Sequence, residues 1–174
     1  MNSRTFSFGC LGLLCVAPSI AQAPQQTGEV LMKTNIGAFK ILSPGDVKAF
    51  GQIKMTFKGS CLLVGYEGTP VSVGQGLRVE YENKKRDRVE YHGQGTLILN
   101  GKFRAIQWFG RGLDMNWNGM GICRLYGEFD KDNNTGTFLI KGQKEQYWNS
   151  GGVQFTLPAR ETAMPTPKVK INGG

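Results

Sequence analysis

Residues 88–130 read RVEYHGQGTLILNGKFRAIQWFGRGLDMNWNGMGICRLYGEFD. Short apolar segments are cut at near-regular intervals by Gly, with the pairs Asn100-Gly101 and Asn118-Gly119 at two of the cuts. Asn-Gly between β-prone residues is the strongest short-range hairpin signal, because both central turn positions take φ > 0. The pattern therefore predicts 96–99 and 102–108 as the arms of a tight hairpin. Further strands are expected at 115–117 and 122–129.

Working outward, Ile53, Met55 and Phe57 alternate with Lys54, Thr56 and Lys58, the period-2 pattern of a half-buried strand. Gly59-Ser60 reads as a turn into an apolar strand at 61–64. Upstream, 29–33 and 38–42 are candidate strands around an Asn35-Ile36-Gly37 turn, and Ser43-Pro44-Gly45-Asp46 is a turn cluster. Arg-Val-Glu-Tyr occurs twice, at 78–81 and 88–91, and predicts an antiparallel pair around the polar loop 82–87. Later strands are expected at 136–141 and 153–157.

A shift of 42 residues places Gly51-Gln52 on Gly93-Gln94 and Gly59 on Gly101. This is either a duplication, giving two similar hairpin layers face to face, or a shared spacing of glycines between hairpins. No stretch of ten or more residues has helical periodicity. The expected fold is all-β: a single antiparallel β-sandwich or barrel-like domain of about ten short strands, with a β-solenoid as the alternative.

The N-terminus bears on the compartment. Arg4 precedes a mostly apolar run at 6–20, and Ala21-Gln22-Ala23 offers small residues for cleavage, the three parts of a secretory signal peptide. The apolar run is too short for a membrane span of roughly 20 residues. The organisation read is a signal peptide at 1–23, a polar spacer at 24–28, a β domain at 29–157 and a flexible Pro-containing tail at 158–174. The mature chain is expected to be secreted or periplasmic, with no transmembrane span.

Cleavage would remove Cys10 and Cys15. Cys61 and Cys123 remain, and in an oxidising compartment they are expected to form one disulfide; the alternative is a pair of inert buried thiols. Cleavage would also remove Arg4 and no acid, leaving 20 basic and 13 acidic residues, a net charge of +7. The charges are scattered, apart from Lys84-Lys85-Arg86 with Arg88, which suits a solvated loop better than a nucleic-acid surface.

Two local features point to ligands. Asp130, Asp132 and Asn134 place oxygen side chains at alternate positions of a Gly-ended loop, which suits Ca²⁺, although Lys131 and the lack of a closing Glu favour a plain turn. Asn133-Asn134-Thr135 also fits a glycosylation sequon. Trp108-Phe109 and Tyr147-Trp148 are adjacent aromatic pairs, so one member of each should face solvent on a strand. Trp108, Trp148 and Tyr147 are the residues expected to stack on a sugar.

Chemistry is sparse. His92 is the only histidine, and no nucleophile or phosphate-loop motif is present. Glu80, Glu90, Asp114 and Glu128 could furnish a carboxylate pair for glycoside hydrolysis, but all except Asp114 sit in ordinary solvent-face patterns. The expected role is non-enzymatic: a structural or interaction module of a bacterial envelope or extracellular space. Its expected partner is envelope polysaccharide or another envelope protein, not nucleic acid. A carbohydrate-binding module is the alternative, with a small β-sandwich glycoside hydrolase behind it.

Overall fold

The structure is a computed structural model that describes residues 26–83 and 87–158. The expected leader at 1–23, the expected tail after Pro158 and the cluster Lys84-Lys85-Arg86 lie outside the described residues. The strands are β1 (Gly28–Leu42), β2 (Ala49–Val64), β3 (Val71–Val73), β4 (Leu77–Glu82), β5 (Arg88–Phe103), β6 (Ala105–Gly127), β7 (Thr137–Ile140), β8 (Gln146–Tyr147) and β9 (Val153–Leu157). They form one antiparallel sheet that does not close, in the order β3-β5-β2-β6-β1-β7-β8, with β4 also on β5 and β9 also on β6. No helix occurs among the described residues. The fold is all-β, as the turn-punctuated pattern predicts, and its strands double back on one another rather than coiling as a solenoid.

The strands are longer than the sequence pattern suggests. β1, β2, β5 and β6 run for 15, 16, 16 and 23 residues. Asn100-Gly101 and Asn118-Gly119 are not turns, and neither are Asn35-Ile36-Gly37 and Gly59-Ser60. The chain instead reverses at Arg104, between β5 and β6. At Gly101 and Gly119 the glycine serves close approach, since neither has positive φ. A Cβ on Gly101 would lie 2.0 Å from the Glu67 carbonyl oxygen, and one on Gly119 would lie 2.1 Å from that of Phe50.

Two rows of glycine cross the sheet. Gly101, Gly51, Gly119 and Gly28 are successive neighbours across β5, β2, β6 and β1. Gly93, Gly59, Gly110, Gly37 and Gly127 form the second row. The 42-residue similarity is the equal separation of these rows along β2 and β5. Those strands are antiparallel neighbours, so Gly51 meets Gly101 and Gly59 meets Gly93. They are not layers facing each other.

β1 is strongly curved. Its residues 37–42 have a β6 neighbour on each edge: Gly37 lies beside Gly110 and Gly127, and Leu42 beside Ala105 and Ile122. Gly28, at the other end of β1, lies beside Gly119. The short segment from Gly119 to Ile122 reaches about 10 Å, whereas a straight strand the length of β1 spans about 50 Å. The ends of β1 therefore approach each other. Extra residues in both strands help it bend, for the register steps from Thr34–Leu113 to Ile36–Arg111. Gly112 supplies a left-handed backbone there, at φ 60°.

One face of the sheet carries a single hydrophobic core. Val30, Met32, Phe39 and Ile41 of β1 meet Ile53, Met55, Phe57 and Leu63 of β2 and Ile106, Met115 and Leu125 of β6. Each such side chain contributes about 1.5–3 kcal/mol on burial. The parity of buried positions switches in β1 between Thr34 and Phe39, and in β6 between Trp108 and Leu113, where the extra residues lie. The predicted β4–β5 pairing is present, with Val79 beside Tyr91. β4 is an edge bearing Arg78 and Glu80, and its register shifts between Val79 and Tyr81. Charge and a bulge both discourage edge-to-edge pairing.

Candidate functional site

Trp108 and Trp148 are each 1% exposed and cannot stack on a ligand. Trp108 packs 5.7 Å from Phe39, and the Trp148 indole donates Nε1–H to the Thr137 carbonyl at 3.1 Å. Each aromatic pair does present one member to solvent, but that member is Phe109 in the first pair and Tyr147 in the second. Parity carried this signal: Ile106 and Trp108 fall on the apolar side of the strand, and Gln107 and Phe109 on the other. Tyr147 is half exposed and leans on Phe129, with ring centroids 4.1 Å apart.

The Asp130 loop is a closed turn. Asp130 and Thr135 exchange backbone hydrogen bonds, at 2.8 and 3.1 Å. Asp130 Oδ1 accepts the backbone N–H of Asp132 and Asn133, and Oδ2 accepts the side-chain amides of Asn133 and Asn35. These bonds, that of the Asn133 side chain foremost, hold the Asp130 carboxyl below its ordinary range. Asn134 adopts φ 48°, the left-handed conformation of a turn residue. No group of three or more His, Cys, Asp or Glu side chains able to hold a metal occurs among the described residues. The Ca²⁺ expectation for Asp130, Asp132 and Asn134 thus meets a loop whose main carboxylate is already engaged by its own turn.

Cys61 and Cys123 are buried free thiols, not a disulfide. Register explains it. Cys61 lies beside Trp108, which lies beside Phe39, and Cys123 lies beyond β1 against Ile41. Two strands of sheet separate the cysteines. Burial pushes both thiols far above their ordinary range.

Among the described residues, His92 makes the one array that resembles catalytic machinery. Its Nδ1 is 2.8 Å from Ser60 Oγ and 3.8 Å from Glu80 Oε2. A Ser–His–acid relay needs the hydroxyl on one ring nitrogen and the carboxylate on the other. Here both approach the same nitrogen, so the set cannot pass a proton through the ring. Glu80 also pairs with Arg78 at 2.8 Å, and Asp114 pairs with Lys33 at 3.5 Å.

The outer face of the sheet holds a more distinctive feature, which the sequence reading did not single out. Ser60, Phe109, Ala38 and Tyr126 are successive cross-strand neighbours through β2, β6, β1 and the end of β6. Ala38 leaves a gap between two aromatic rings whose Cα atoms are two strand spacings, roughly 10 Å, apart. The resulting slot measures about 290 Å³. Phe109 is 69% exposed and Tyr126 42%. Gly152 supports the Tyr126 ring, since a Cβ there would lie 2.8 Å from Cε1. Along one side of the slot run Gln107, Lys40 and Glu90, all polar and able to hydrogen-bond. A larger shallow groove of about 440 Å³ surrounds Gln52, Asn100 and Asn118, but offers amides without an exposed aromatic face.

No protein-family model matches the chain, and neither does a curated protein or a solved structure. The site must be judged by its own chemistry.

Proposed function

We propose that this protein is an exported, non-enzymatic interaction module of a bacterial envelope or extracellular space, and that it binds through the slot between Phe109 and Tyr126. One observation carries the reading: Phe109 is the most exposed large apolar side chain among the described residues. It lines a recess with a second exposed aromatic rather than standing alone. Scattered surface apolar residues are ordinary, whereas an aromatic slot rimmed by polar groups is the composition of a binding surface.

A carbohydrate is the ligand class this surface suits. Aromatic faces accept the C–H face of a sugar ring, while Gln107, Lys40 and Ser60 can bond its hydroxyls. Phe109 and Tyr126 take the role that the sequence pattern assigns to Trp108 and Trp148. The paired-carboxylate hydrolase has no such support, because Asp114 and Glu80 are engaged with Lys33 and Arg78.

The test is co-sedimentation of purified protein with insoluble polysaccharides and isolated cell walls, at low and high salt, beside Phe109→Ala and Tyr126→Ala. Salt-resistant binding lost in both variants supports the slot. Binding that both variants retain in full sinks it. Both side chains lie on the surface, so the variants should unfold at the wild-type temperature.

A further inference from the structure

We infer that the ligand of the slot is an acidic glycan whose carboxylates are held by Lys58 and Arg111, a step that rests on the slot being the binding surface. Lys58 of β2 and Arg111 of β6 are direct cross-strand neighbours, both exposed on the outer face. Like charges directly opposite each other destabilise a sheet. A sheet face relieves such a pair by setting a carboxylate beside it, and none stands there. The other lateral neighbour of Lys58 is Gln94, and that of Arg111 is Ile36, both uncharged. On these two strands the next outward acid in sequence is Asp114, opposite Thr56, and it pairs with Lys33 at 3.5 Å. Neither Lys58 nor Arg111 has an ion-pair partner among the described residues.

Position supplies the second half. Phe109 and Ser60 are the next outward residues along the same two strands, about 6.5 Å from Arg111 and Lys58. A ring in the slot would thus carry an acidic substituent, or the acid of the adjoining residue, towards two unpartnered cations. Arg111 stands where β6 bulges before Gly112, and a bulge re-aims a side chain. Its guanidinium fork suits a carboxylate bidentately, and Lys58 adds a point charge. Glu90 lines the far side of the slot with Lys40 and Gln107, two outward rows along the strands from Lys58 and Arg111. The slot holds one aromatic pair, which fits a single sugar ring; single-stranded nucleic acid draws on a series of stacking rings along a basic groove.

The experiment compares purified protein binding to polygalacturonate, alginate and hyaluronate with binding to their carboxyl-reduced, neutral forms, for wild type, Phe109→Ala, Lys58→Gln and Arg111→Gln. We expect wild type to bind at least one acidic polymer roughly tenfold more tightly than its reduced form. Lys58→Gln and Arg111→Gln should erase that preference, keep the affinity for the neutral polymer and leave the melting temperature undiminished. Phe109→Ala should lose both forms. Equal affinity of wild type for acidic and reduced polymers, or a preference that survives both charge variants, overturns the acidic glycan and leaves the slot standing. Binding untouched by Phe109→Ala, or no binding to any polymer, overturns both. Tighter binding to an oligo-dT strand than to every acidic polymer replaces the glycan with nucleic acid.

Discussion

A Cβ on Gly51 would lie 2.6 Å from Nε1 of Trp117 and equally close to the Asn118 carbonyl oxygen. The indole occupies the notch that the first glycine row leaves in β2 and β6, and Trp148 lies against Gly37 and Gly127 of the second row in the same way. Glycine is therefore required here for packing volume rather than for an unusual dihedral, since Gly51 and Gly37 have no positive φ.

Gly51→Ala is accordingly an overpacking variant. The Asn118 carbonyl belongs to the sheet ladder and cannot withdraw, so Trp117 or the strand must shift. The expected loss is about 1–3 kcal/mol, read as a lower midpoint in urea unfolding. Gly45→Ala is the control, because nothing lies within 4 Å of its Cβ position, although its φ of 65° carries some strain of its own. Equal stability of Gly51→Ala and wild type would refute the notch.

Cys61 and Cys123 should behave as inert thiols. Burial favours the neutral thiol over the thiolate that reacts, so the folded protein should resist iodoacetamide at pH 8. Denaturation without reductant should then expose both thiols to labelling. A folded protein whose gel mobility changes on reduction would show that these two cysteines pair.

Three carboxyls lie below their ordinary range: Glu29 through its hydrogen bond with Lys141, Glu67 through that with Lys48, and Asp130 through the Asn133 amide. A folded-state pKa below the unfolded one gives stability that is present above the unfolded pKa and is lost as pH falls through the folded value. The urea midpoint should therefore hold level from neutral pH down to about pH 5 and decline below about pH 4. All three groups are open to solvent in part, so added salt should flatten the decline. A decline that begins well above pH 5 would refute the assignment to these carboxyls.

The alternating segments were legible because burial leaves a mark at every second residue. β9 spans 153–157 as its sequence predicts, and the outward Lys54, Thr56 and Lys58 are where period two sets them. The Asn-Gly pairs misled, since glycine serves both a left-handed turn and close approach of two backbones. The sequence did hold the means to choose. Leu97, Leu99, Gly101 and Phe103 keep one parity through the first pair, as do Trp117, Gly119, Gly121 and Cys123 through the second; a two-residue turn would have ended the strand there. The slot was beyond reach for another reason. Phe109, Ala38 and Tyr126 are brought together by register between strands remote in sequence, and nothing local encodes that meeting.

The curvature of β1 also bears on how the chain acquires its structure. Every lateral partner of β1 lies in β6 or β7, and the earliest of them, Ala105, comes about sixty residues after Leu42. The first strand made is thus among the last that can be secured, and until β6 exists both of its edges stay open. Contacts of such long range slow folding. In a chain emerging from its N-terminus, β2 to β5 can pair among themselves, while β1 must wait, both edges bare, until residues beyond 105 arrive.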